Sequence, residues 1–136
     1  MTPFEQEVVA SVLWQLQGYR KGVVTLRVTT RILRATLRRI KPKLVGRSAA
    51  LQPDEAADLD HAIPLKVVVA KLLEWPGDEL AVLSALLQRY LVAVELTQDQ
   101  HRRLLKEAGL ASDMPPQWDG NDVFARYHHV GISIDS

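Results

Sequence analysis

The sequence predicts an α+β fold, mostly helical, in a single domain with a small β element. Two observations carry this: apolar residues recur at helical spacing in several capped segments, and one alternating β-rich run, "LVAVELT" (91–97), stands among them. A third sets the scale. With 136 residues and 47% hydrophobic side chains, the chain can bury one sizeable core but is too short for two comfortable domains. We divide it into a basic helical N-terminal segment, 1–53, and a core with a C-terminal tail, 54–136, expected to form one compact domain overall.

The first element is announced by Thr2-Pro3-Phe4-Glu5, an N-cap threonine, proline at the first helical position and glutamate three residues after the cap. Phe4, Val8, Val9, Val12, Leu13, Leu16 and Tyr19 follow at helical spacing, which predicts an amphipathic helix over 3–19. "VVTLRVT" (23–29) is β-branched enough for a short strand and equally able to lead into the next helix. From Thr30 the pattern is helical again, with Ile32, Leu33, Thr36, Leu37 and Ile40 on one face and Arg31, Arg34, Arg38 and Lys41 on the other. Lys41-Pro42 ends it, because proline disfavours helical backbone in the residue before it. Residues 43–58 read as a connection.

"LKVVVAKLLEW" (65–75) is a buried helix or a strand running into one. Trp75-Pro76-Gly77-Asp78 is a turn. Residues 78–90 form a helix with Leu80, Leu83, Leu86, Leu87 and Tyr90 on one face. The strand at 91–97 leads into a second capping box, Thr97 to Gln100, and a helix that Gly109 closes. In the tail, a short helix is expected at "NDVFARYHHV" (121–130), and Trp118-Asp119-Gly120-Asn121 reads as a turn.

Seventeen basic residues nearly balance sixteen acidic ones, so net charge identifies no partner. Distribution does more. Between Val8 and Pro53 there is no Asp or Glu, whereas ten Arg and Lys residues fall there; from Asp54 onward fourteen carboxylates face seven bases. Such an unbroken basic segment suits the phosphates of a nucleic acid, with Arg31, Arg34, Arg38, Arg39, Lys41 and Lys43 as the candidate contacts. The absence of Cys excludes disulfides and thiolate chemistry. No apolar run long enough for a membrane span occurs, and "MTPFEQEVV" lacks the basic start of a secretory signal, so a cytoplasmic location is expected.

The chemistry-bearing stretch is "ADLDHAIPLK" (57–66). Asp60-His61 precedes Ala62-Ile63-Pro64-Leu65, and a strand followed by a helix with His101 on its first turn, "VELTQDQHRRL", comes later. This arrangement resembles the HNH, or ββα-metal, nuclease family, whose first motif is an Asp-His pair often followed by apolar residues and proline. The resemblance covers about residues 57–107. It implies a ββα core in which His61 is the base that activates water, while Asp60 and His101 hold a divalent metal, Mg²⁺ or Mn²⁺ and in some cases Zn²⁺, for hydrolysis of DNA. A histidine near its ordinary pKa suits the base, and carboxylate with imidazole suits the cation. Because neighbours on a strand point to opposite faces, Asp60 and His61 can serve one site only if the strand ends or turns there.

The chain departs from the family pattern in two ways. No Asn lies between His61 and His101, since Asn121 is the only one, and the gap of forty positions from one His to the other must hold an additional helix. The missing Asn supports a second class of expectation, a non-catalytic bacterial or phage protein that binds and inhibits or regulates a nucleic-acid-processing complex. Asp60 and His61 would then be a hydrogen-bonded polar edge, with His101 exposed. The two are separated by geometry: side chains converging around a cation site favour the enzyme, and His101 more than about 8 Å away favours the binder. A homodimer through Phe4, Val8 and Leu13 is a further expectation for partners. His128-His129, about 100° apart on a helix, is a poor chelating pair.

Overall fold

The computed structural model describes all 136 residues. It opens with α1 (Pro3–Arg20), where the Thr2 side chain accepts from the Glu5 amide and the Glu5 carboxylate accepts from the Thr2 amide, the capping box expected from the sequence. Val8, Val9, Val12 and Leu16 turn inward. Val8 is therefore a core residue and not part of an exposed face. The next helix, α2 (Leu26–Leu37), begins earlier than the periodicity from Thr30 suggests. The β-branched run at 23–29 is not a strand: Thr25 caps the helix by accepting from the Val28 amide, and Thr29, Leu33 and Leu37 bury one side of it. Burial at helical spacing has outweighed local β preference.

After Ile40 the chain enters β1 (Lys43–Ser48), in the stretch expected to be a connection. It then forms β2 (Asp58–His61) and bends at Ala62-Ile63 into α3 (Leu65–Glu74), whose first residue follows Pro64. The ambiguous apolar run is thus a helix, with Leu65, Val68, Val69 and Leu72 buried along one side. It is followed by α4 (Leu80–Tyr90), the central strand β3 (Val92–Leu96), and a π-helical turn (Gln100–Leu104) that continues into α5 (Leu105–Glu107). The predicted box is present here too, Thr97 and Gln100 exchanging side-chain and amide hydrogen bonds at 3.0 Å each. A short α6 (Ala125–His129) and β4 (Ile134–Asp135) complete the chain.

The four strands make one mixed sheet in the order β2-β3-β1-β4, with β1 parallel to β3 and the other pairs antiparallel. The fold is α+β in a single domain, as the sequence predicts. Its larger apolar cluster joins α1 and α2 to α3 and α4, so residues from both sides of position 53 share one core. A smaller cluster covers one face of the sheet, where Val92, Val94 and Leu96 of β3 meet Leu105, Leu110, Tyr127 and Ile132. No helix is long and apolar enough to cross a membrane.

Candidate active site

Register decides which side chains of β2 meet. Asp58 lies opposite Leu96 and Asp60 opposite Val94, so both carboxylates leave the face that carries the smaller cluster, while Leu59 and His61 leave the other. The helix following β3 covers the carboxylate face and brings His101 over it. A π-helical turn, wider than an α turn, holds His101 in place, with its amide bonded to the Thr97 carbonyl at 3.1 Å.

The His101 ring lies between the two carboxylates. Nδ1 is 2.9 Å from Asp58 Oδ2, and Nε2 is 3.6 Å from Asp60 Oδ1. With Asp58 accepting, Nδ1 carries a proton, and Nε2 is the ring nitrogen on the side of Asp60. The His101 hydrogen bond, joined by the Arg102 guanidinium at 3.0 Å, holds the Asp58 carboxyl below the usual carboxylate range against the opposing effect of burial. Asp60 is 8% exposed, and its Oδ2 accepts from Arg126 at 2.5 Å and from the Tyr127 hydroxyl at 2.7 Å. Burial, with the Asp60 charge adding to it, pushes the Tyr127 phenol far up, so this hydroxyl stays a donor.

His61 ends β2, and the chain bends immediately after it. Its side chain leaves the sheet face opposite to Asp58 and Asp60, so the structure brings Asp60 and His101 together but not His61 with them. Its Nε2 is buried without a hydrogen-bond partner. Burial lowers the His61 pKa; the Asp60 charge opposes that effect, while the charges of Arg126 and Arg38 reinforce it.

Arg38, whose charge is felt at His61, belongs to the basic segment. Arg27, Arg31, Arg34 and Arg38 recur every three or four residues, beginning in α2 and ending at its C-cap, as a stripe about 16 Å long. None of them forms an ion pair, nor do Arg39, Lys41, Lys43 and Arg47. Arg20 is engaged differently, with carbonyls of Trp75 and Gly77 and the face of Trp75.

No group of three or more His, Asp and Glu side chains has the arrangement of a metal cage. Two fit as partial ligands. Adjacent groups held about 2.1 Å from one ion stand about 3.0 Å apart in an octahedral shell and about 3.4 Å apart in a tetrahedral one, so the 3.6 Å between Nε2 and Oδ1 would have to close slightly around a cation. Magnesium-type sites commonly take one or two protein ligands and complete the shell with water and phosphate oxygens. The tail histidines do not contribute: exposed His128 lies 3.8 Å from Asp122. Asn121 accepts from the Arg89 guanidinium and makes no hydrogen bond to His61. Asp58, Arg126 and Tyr127 belong to the site but carry no motif. Asp58 was legible only through the i, i+2 rule once β2 was known, and Arg126 and Tyr127 enter from a helix placed by the tail.

Comparison with protein-family models, curated proteins and solved structures finds no match to this chain.

Proposed function

We propose that the chain is a metal-assisted phosphodiesterase acting on DNA, with an HNH-like ββα arrangement. One observation carries the reading: Asp58 orients His101 through Nδ1 so that Nε2 faces Asp60 Oδ1 at 3.6 Å. The antiparallel pair β2 and β3, followed by the turn bearing His101, supplies the ββα order, with α3 and α4 occupying the long interval between the strands.

Asp60 and His101 would hold a divalent cation, Mg²⁺ or Mn²⁺, and Asp58 keeps the imidazole in the ligating tautomer. When bound, the cation supplies stabilisation of the charge that builds on the scissile phosphate. His61 is the base. Its lowered pKa favours the neutral imidazole, which can take a proton from the attacking water only where the substrate reaches around the end of β2, because His61 leaves the sheet face opposite to Asp60. Arg31, Arg34, Arg38 and Arg39, with Lys41 and Lys43, hold the phosphate backbone. A cytoplasmic location goes with such a substrate.

The test is nicking of supercoiled plasmid by the purified protein with Mg²⁺ or Mn²⁺. His61→Ala is expected to lower the rate by about a hundredfold or more. Absence of cleavage, together with no metal-dependent shift in melting temperature, overturns the reading. In that event the non-catalytic binder of a nucleic-acid-processing complex is favoured. Its supporting observation is that no side chain orients the His61 ring, whose Nε2 is buried and unpartnered.

A further inference from the structure

Arg126 is a fully buried arginine, and it gathers acceptors around the end of β2. Nη2 donates to Asp60 Oδ2 and to the His61 carbonyl, both at 2.5 Å, Nε to the Ala62 carbonyl at 3.2 Å, and Nη1 to the Leu110 carbonyl at 2.7 Å. The Tyr127 hydroxyl donates to the same Oδ2 of Asp60. One oxygen of Asp60 is thereby taken up from behind, and the other is left facing His101. The same guanidinium holds the two carbonyls at which the strand breaks, between the carboxylate and the bend that directs His61.

We propose that Arg126 and Tyr127 are positioning residues that lock Asp60 with Oδ1 toward a divalent cation. The inference rests on the metal-assisted reading above. Fastening α6 to the core does not by itself require this chemistry, because a buried ion pair generally contributes no more to stability than well-packed apolar side chains of similar volume. Nor would it require a second donor on an oxygen that is already paired with a guanidinium. A carboxylate with one oxygen fixed by two donors has lost its freedom to rotate or to chelate through both oxygens. That restriction matters to a ligand and matters little to a staple.

The experiment uses the full chain and Mn²⁺ alone, with binding read from the electron paramagnetic resonance of the free ion and folding from circular dichroism and thermal melts. Asp60→Asn and His101→Ala are expected to abolish binding. Tyr127→Phe removes one oxygen while keeping the ring, and is expected to weaken Mn²⁺ affinity about tenfold in a folded protein. Arg126→Lys keeps the charge but not the planar fork, and is expected to weaken it about a hundredfold. If Arg126→Lys does not fold, Tyr127→Phe decides the matter alone. Wild-type affinity in folded Tyr127→Phe, alongside lost binding in Asp60→Asn, overturns the clamp and leaves the metal reading standing. Failure of the wild-type protein to bind Mn²⁺ overturns both.

Discussion

Glu5 does two jobs at the N-terminus: its carboxylate accepts from the Thr2 amide at 3.1 Å and from the Lys41 amide at 2.8 Å, tying the start of α1 to the segment before β1. These contacts, the Thr2 amide first, hold its pKa below the ordinary value of 4.5. A depressed carboxyl contributes stability above its unfolded pKa and loses that contribution as pH falls through the folded one. The melting-temperature difference between wild type and Glu5→Gln should therefore be full at neutral pH and close below about pH 4.5; a gap independent of pH counts against it. Gly46 is a second informative position. A Cβ there would stand 2.6 Å from Ile134 Cγ2 and 3.1 Å from the Asp135 carbonyl oxygen, so β4 can approach β1 only over a glycine. Gly46→Ala should destabilise by about 1–3 kcal/mol in urea melts, as overpacking does. At this scale Asp60, His61 and His101 were legible because their types and order form a pattern. Asp58, Arg126 and Tyr127 were not, since each matters only through a neighbour distant in the chain.

Among the elements, α2 separates the side proposed to meet phosphates from the side that holds the helix in place. Like charges three and four residues apart weaken a helix by a few tenths of a kcal/mol per pair, and here no carboxylate relieves them. What holds α2 is its other side, where Thr29, Leu33 and Leu37 are buried and Thr25 caps the start. Arg31→Ala or Arg38→Ala should leave the melt nearly unchanged and, on the proposed phosphate contacts, weaken DNA binding alike across sequences. Each should reduce the slope of log affinity on log salt by about one; unchanged slopes would refute the phosphate contacts. Strand β1 was missed for a physical reason. "KLVGRS" has little alternation, because it carries a bulge between Leu44 and Gly46 and is largely exposed, and its hydrogen bonds are satisfied by β3 and β4. The helix bearing His101 was foreseen from its cap, but not the π-helical turn within it.

Across the whole molecule, the basic segment and the rest share their core. Leu16 and Leu33 belong to the same buried cluster as Leu72 and Leu83. Leu72→Ala should cost about 2–5 kcal/mol, read from a chemical melt. A fragment of residues 54–136 leaves that side of α3 and α4 uncovered and should show no cooperative melting transition. The tail is as integral: Tyr127 fills the smaller cluster, and Trp118 packs against the larger one with Lys71 over its ring at 4.9 Å.

By itself the sequence determined the helices with strong periodicity and caps, a strand within 91–97, the α+β class, and Asp60 and His101 as residues to look for together. All of these follow from interactions between near neighbours, or from a short ordered motif. The tertiary structure decided that residues 43–48 are a strand, that 23–29 feed a helix, and that Asp60 is gripped from the far end of the chain. Those outcomes depend on hydrogen bonds and burial between segments remote in sequence, which no local pattern records.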